Sequence, residues 1–456
     1  MSSSTSVRPI EASLTRFLTL ALPVMAANIT EPLIGIVDTA AIGRLGDVAL
    51  VGAVALSAVL FEFLFWGLGA LRMSTAGLTA QALGAGDDRA IALAFARALW
   101  LALILGSLLI ILQEPIIALA MIIFTPSDAV GAAARTYITI RIWSAPFALM
   151  NYAILGSLVG QGRTGLGLFV RVALNLTKIA LTIVAVTLVQ GGIAGVATAT
   201  LIAEITGTAL GLFILLRLGT LRFDVGWRAI FQPTELGRML AVNRDVAIRT
   251  CALLVAFIIF TAQGSKRGDV TLAANGVLYQ MFLAAAYVLD GFAIAAEQMC
   301  GQALGSRDPH GFRAASRLSL RFSLVFGLVL TLLLWVTGPS FVDLLTTHEG
   351  VRAEAYRFLP FAVLTPLLGA AAFAYDGIYA GATWTRAMRN LMLIALALFM
   401  GIIYAGGLFG PYGLWAAMLI FLSTRGIGQA IFYNRLFEKS FATPHLTSAN
   451  PHGAAR

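Results

Sequence analysis

Apolar runs divided by short polar breaks make up nearly all of this chain, at about 13–42, 48–83, 90–122, 132–160, 165–189, 193–217, 239–262, 270–303, 314–337, 352–382, 387–408 and 412–436. A helix needs roughly 20 residues to cross a hydrocarbon core about 30 Å thick, and every run reaches that length. The expected fold is an all-α integral membrane protein with twelve transmembrane helices. Composition agrees: 59% of the 456 residues are hydrophobic and 12% charged, and a mean hydropathy of +0.88 lies far above that of water-soluble domains. The first run, from Phe17 to about Ile42, is longer than the apolar core of a cleavable signal peptide and is read as a retained helix.

The 31 Lys and Arg outnumber the 22 Asp and Glu. Only Lys178, Lys266 and Lys439 are lysines, so 28 are Arg, scattered between apolar runs. That pattern belongs to a bilayer edge and not to a nucleic-acid surface. With the N-terminus inside, the inner loops and flanks hold Arg89, Arg163, Arg171, Arg217, Arg222, Arg228, Arg238, Arg244, Arg249, Arg307, Arg313, Arg317, Arg386, Arg389, Arg435 and Lys439, against Arg44, Arg135, Lys266, Arg267 and Arg352 outside. The bias predicts a multi-pass protein of the cytoplasmic (inner) membrane with both termini in the cytoplasm and an even number of spans. Cys251 and Cys300 both lie in apolar segments, which supports neither a disulfide framework nor a thiolate metal site.

The chain also repeats. Gln81-Ala82-Leu83-Gly84 returns as Gln302-Ala303-Leu304-Gly305, and Asp47-Val48-Ala49-Leu50 returns at nearly the same spacing as Asp269-Val270-Thr271-Leu272. Pro146, Gly160 and Gly162 find their counterparts in Pro366, Ala380 and Ala382. Six helices per half is an even number, so the halves insert in the same sense, as parallel repeats about an axis along the membrane normal. This divides the chain into an N-terminal lobe (1–216), a linker (217–238), a C-terminal lobe (239–440) and a tail (441–456). Two such lobes suit alternating access to a site between them.

Ionisable residues inside spans are costly and point to cavities or partners. They are Asp38, Glu62, Arg72, Lys178, Glu204, Asp290, Glu297 and Asp376. Asp38 follows Pro23 and Asn28 in a polar, kinkable first span, where a carboxylate can take up and release a proton; the alternative is an ordinary acid near the outer interface. Asp290 and Glu297 are two helical turns apart, on one stripe about 10 Å long. They form either a polar track or counter-charges for Arg72, which lies at comparable depth before the equivalent Gln81-Ala82-Leu83-Gly84, and a gate between the lobes satisfies both. Structural roles are favoured for Glu62, Glu204 and Lys178. Phe61, Phe63, Phe65, Trp66, Tyr279, Phe282 and Tyr287 suggest an aromatic cavity for lipophilic cations, or lipid-facing packing. With no HExxH, no phosphate loop and all four His in loops or the tail, enzymatic chemistry is not expected.

At these residues the chain resembles the DinF-like subfamily of multidrug and toxic compound extrusion (MATE) transporters. The match runs through Pro23, Asn28-Ile29-Thr30, Val37-Asp38-Thr39-Ala40, Ile42-Gly43, Arg72-Met73-Ser74-Thr75, Gly77 to Ala82 and Gly84-Ala85. It resumes at Leu289-Asp290-Gly291-Phe292-Ala293, Glu297, Gly301-Gln302-Ala303, Tyr375-Asp376-Gly377-Ile378, Gly381-Ala382-Thr383 and Ala387-Met388-Arg389-Asn390. The resemblance implies a V-shaped antiporter that exports organic, often cationic, compounds against protons or sodium. By resemblance, Asp38 and Asn175 are ion-coupling residues; from their places inside the spans, Arg72, Asp290, Glu297, Asp376, Tyr279 and Tyr287 are assigned to the substrate path and gate. Many relatives carry a second aspartate one helical turn after the asparagine; here it is Ile179, so coupling rests on Asp38 alone or moves toward Asp290, Glu297 and Asp376. The sodium site of another subfamily calls for a seventh-helix glutamate, and 239–262 holds none, which favours protons.

The expected function is proton-coupled export of amphipathic, cationic organic compounds by a monomer in the lipid bilayer, with no cofactor beyond the proton and no nucleic-acid partner. The alternatives are sodium coupling and the flipping of lipids or lipid-linked sugars. A flippase calls for several cations in its cavity, whereas the buried charges here read as mainly acidic.

Overall fold

The computed structural model describes residues 13–43, 47–222, 226–404 and 412–442; the side chains of Ile29, residues 31–43 and Val48 lie outside that description. No strand occurs among the described residues. The spanning helices are α1 (Leu14–Gly43), α2 (Ala49–Gly84), α3 (Asp88–Ile111), α4 (Asp128–Gly160), α5 (Thr164–Thr187), α6 (Gly192–Arg217), α7 (Pro233–Ser265), α8 (Asp269–Gly305), α9 (Pro309–Leu345), α10 (Glu349–Gly381), α11 (Thr385–Tyr404) and α12 (Gly413–Phe441). Eleven are long and apolar enough to cross a membrane, and α1, with 30 residues, completes the twelve expected.

Two local departures have clear causes. The third apolar run ends its helix at Ile111 and continues as a separate helix, Gln113–Phe124. The Pro115 ring would collide with the carbonyl one turn earlier, at Ile111, so the helix stops there. Helix α7 begins at Pro233, at the first helical position where a missing N–H costs nothing, so Arg238 lies on a helix and not in a linker.

The repeat extends to packing. In the first half α1 packs on α5, α2 and α3 on α4, and α6 on α4 and α5; in the second α7 packs on α11, α8 and α9 on α10, and α12 on α10 and α11. Caps repeat as well. The Asp87 carboxylate accepts from Ala90 N at the start of α3, and its counterpart Asp308 accepts from Gly311 N at the start of α9, both at 2.8 Å.

Just before these caps the chain turns through the left-handed region, at Gly86 (φ 68°) in the first half and Arg307 (φ 53°) in the second. Glycine adopts that conformation freely, whereas a Cβ crowds the next carbonyl at about 1–2 kcal/mol. Arg307 is exposed, so its side chain recovers little of that cost. Arg307→Gly is expected to raise thermal stability in detergent by about 1 kcal/mol, and Gly86→Ala to lower it by a similar amount. Melting curves of the two variants check the pair.

Candidate functional site

The two halves meet where α1 and α2 cross α8, with α7 and α10 also against α2. At the crossing the backbones nearly touch: a Cβ on Gly84 would overlap the Gln302 carbonyl, and one on Gly305 would overlap the Gln81 carbonyl. The repeated Gln-Ala-Leu-Gly motifs therefore pack on each other about the pseudo-two-fold relation between the halves. Gly77 and Gly301 likewise sit against Ala380 and Gly381.

Farther from the motif, the α8 acids meet groups of the opposite lobe. Arg72 Nη1 lies 3.5 Å from Glu297 Oε2, with Glu297 almost fully buried. The second oxygen, Oε1, has no hydrogen-bond partner. Two turns earlier, Asn28 Nδ2 donates to Asp290 Oδ2 at 3.4 Å and to the Tyr287 carbonyl at 3.3 Å. The stripe thus faces α1 at Asp290 and α2 at Glu297. At 3.5 Å the ion pair is long, so it engages less strongly than a contact at the usual separation of about 2.7–2.9 Å.

A second polar centre lies inside the N-terminal lobe, a cavity of about 210 Å³ walled by α2, α4, α5 and α6. Its polar lining includes Arg141, Asn151, Arg171, Asn175, Lys178 and Glu204. Asn151 Nδ2 donates to Glu204 Oε2 at 2.8 Å and to the Glu204 carbonyl at 3.1 Å. Asn175 Nδ2 donates to Thr30 Oγ1 at 2.8 Å, tying α5 to α1. Arg141 lies over the Phe61 ring, 4.3 Å from its centre. The space is large enough for several waters but falls below the roughly 300 Å³ of a drug-sized ligand pocket.

Asp376 stands apart from the inter-lobe seam. Its carboxylate accepts from Arg249 on α7, from Arg425 on α12 at 2.6 Å, and from Gln429 at 2.7 Å. All four residues belong to the C-terminal lobe. Tyr279 packs edge-on to Phe257 with ring centres 5.3 Å apart, in an aromatic group of the same lobe that includes Phe282. Phe63 and Trp66 are exposed, while Phe61 is buried and Phe65 lines the N-terminal cavity. Asp38 is on α1, and its side chain lies outside the described residues.

Several partners were not legible in the sequence. Among the described cavity residues, three cations face one acid, so the buried charge is not mainly acidic there. Arg171 and Arg249 read as inner flanks, yet Arg171 lines the cavity and Arg249 binds Asp376. Asp245, in the seventh run, is buried and pairs with Arg389 at 2.6 Å. An arginine near a helix end has the same sequence signal whether it turns to the headgroups or inward, so pattern alone does not separate the cases. Among the described residues, no cluster of three or more His, Cys, Asp or Glu is placed to hold a metal.

One family model, MatE, matches residues 23–184 and again 246–405. The chain belongs to the MatE family. The spacing between the two matches is nearly that of the internal repeat. The chain is 37% identical over 422 residues to DNA damage-inducible protein F of Escherichia coli (strain K12), covering 91% of each. It is 25% identical over 455 residues to the probable multidrug resistance protein NorM of Rhizobium meliloti (strain 1021), covering 94% of each. Among solved structures, a MATE in the bent conformation superposes with a TM-score of 0.84 at 18% identity, covering 94% of this chain and 97% of that one. The protein is therefore a multi-pass membrane protein of the MATE multidrug and toxic compound efflux transporter family, whose members are transporters and not enzymes.

Two outcomes are expected of this MATE protein. Asp376→Asn leaves Arg249 and Arg425 without their shared countercharge and costs about 3–5 kcal/mol, read as a large fall in melting temperature. Arg72→Ala and Glu297→Ala each impair transport, and the double variant loses less than the sum, because the second change removes a charge already orphaned. Full additivity in initial transport rates would leave the two residues acting independently.

Proposed function

We propose that this MATE protein exports amphipathic organic compounds in exchange for protons, by alternating access of its two lobes to a path along the α8 stripe. The observation that carries this reading is the buried, half-satisfied ion pair between Arg72 and Glu297, which bridges repeat-related lobes at the seam. A charge pair in this position resists separation less than a fully bonded one, as a contact that opens in each cycle requires. Positive-inside bias orients both termini to the cytoplasm of the inner membrane. The Gln-Ala-Leu-Gly seam is then at the cytoplasmic end, and the closed side of the molecule is the inner one.

Protons are favoured over sodium because 239–262 lacks the glutamate that the sodium site of another subfamily calls for, and the Asp376 carboxylate is already taken: both of its oxygens accept from guanidinium or amide donors. Asp38 is the proposed proton carrier, with Asn175 holding α5 against α1 nearby. For the substrate, Asp290 and Glu297 suit an organic cation. A second reading, that acidic amphiphiles or lipid-linked anions are moved, is supported by Arg141, Arg171 and Lys178 around the N-terminal cavity.

Proteoliposomes with a preset pH gradient test these readings. Adding a fluorescent amphipathic cation is expected to dissipate the gradient with or without sodium, and an amphipathic carboxylate to do so less. The reverse preference would install the anionic reading. Asp38→Asn is expected to insert and fold normally and to abolish the coupled proton flux; wild-type flux from that variant would remove Asp38 from the mechanism.

A further inference from the structure

At the closed end of the seam, two more residues reproduce the repeat. Arg16 on α1 and Arg238 on α7 hold equivalent positions in the two halves, and each crosses to the other lobe. Arg16 Nη2 donates to Gln302 Oε1. Arg238 Nη2 donates to Gln81 Oε1 at 3.1 Å. The acceptors are the first residues of the two Gln-Ala-Leu-Gly motifs, so a single pseudo-symmetric unit contains two arginines, two glutamines and two glycines.

Both glutamines are fixed in orientation. Gln81 Nε2 donates to the Gly381 carbonyl at 2.8 Å and to Thr383 Oγ1 at 3.3 Å, so this side chain of the N-terminal lobe is bonded to Gly381, Thr383 and Arg238 of the C-terminal lobe. Gln302 Oε1 also accepts from Gln298 Nε2 at 3.1 Å, which orients its oxygen toward Arg16. The glycines bring the backbones close enough for short side chains to span the gap. A neutral amide acceptor leaves each bond weaker than an ion pair, so it closes without locking.

The geometry points to Arg16 and Arg238 as a paired latch, with Gln302 and Gln81 as its catches, that holds the two lobes together at this end of the molecule. This inference rests on the alternating-access reading above. The four are positioning residues: they set the balance between closed and open seam without touching Asp290 or Glu297.

The test places nitroxide labels through Arg89→Cys and His310→Cys, exposed positions at the starts of α3 and α9, in the full chain carrying Cys251→Ser and reconstituted in lipid nanodiscs. Distance distributions by pulsed electron resonance should show short and long populations in the parent. Arg16→Ala and Arg238→Ala are each expected to raise the long-to-short ratio on the order of tenfold, the effect of losing one charge-assisted hydrogen bond, and the double variant to raise it further. Gln302→Glu, which keeps the accepting oxygen and adds charge, is expected to lower the ratio and slow transport, and adding Arg16→Ala should undo both effects. An unchanged ratio in both arginine variants, or a Gln302→Glu effect indifferent to Arg16, overturns the latch. A parent with one fixed distance across pH and added substrate overturns alternating access itself, and the latch with it.

Discussion

Two helix backbones in direct contact define this molecule. Where α2 and α8 cross, the Gly84 and Gly305 positions leave no room for a β-carbon, and the carbonyls of Gln302 and Gln81 occupy the space one would take. In lipid, apolar side chains gain little by leaving the hydrocarbon for one another, so helix association depends on close packing and on hydrogen bonds between small residues. The crossing provides both. It brings Arg16 within reach of Gln302 and Arg238 within reach of Gln81, and it sets the depth at which Arg72 meets Glu297.

From that crossing outward, buried charges divide into two kinds. Asp376 finds all its partners, Arg249, Arg425 and Gln429, within its own lobe. Glu297 and Asp290 find their partners across the seam, at longer distances and with one Glu297 oxygen unpaired. An isolated charge costs at least about 2.5 kcal/mol at the bilayer centre, so both kinds need partners. Only the second kind bridges the two lobes.

Much of the architecture was open to reading from the residues alone. Helix limits fell close to the apolar runs because the bilayer imposes a length on every span. The repeat was visible in Gln81 to Gly84 and Gln302 to Gly305, and the match of one family model to both halves agrees with it. Arg72 and the Asp290/Glu297 stripe were brought together by depth, since helical rise converts sequence distance from a shared motif into position along the membrane normal. Depth did not say which way a side chain turns. Arg249 and Arg171 carried the same signature as headgroup arginines, and Lys178 and Glu204 read as structural, yet Arg171, Lys178 and Glu204 face one cavity.

By itself, the sequence of this chain determined the number of spans, their approximate limits, the two-fold repetition and the family. Each is written in local composition or in motif identity, which require no knowledge of neighbours. Only the tertiary structure decided which charges share a partner within a lobe and which reach across to the other. Rotation of a helix about its axis leaves composition and depth unchanged, and it is fixed by how small residues on one helix fit the backbone of the next.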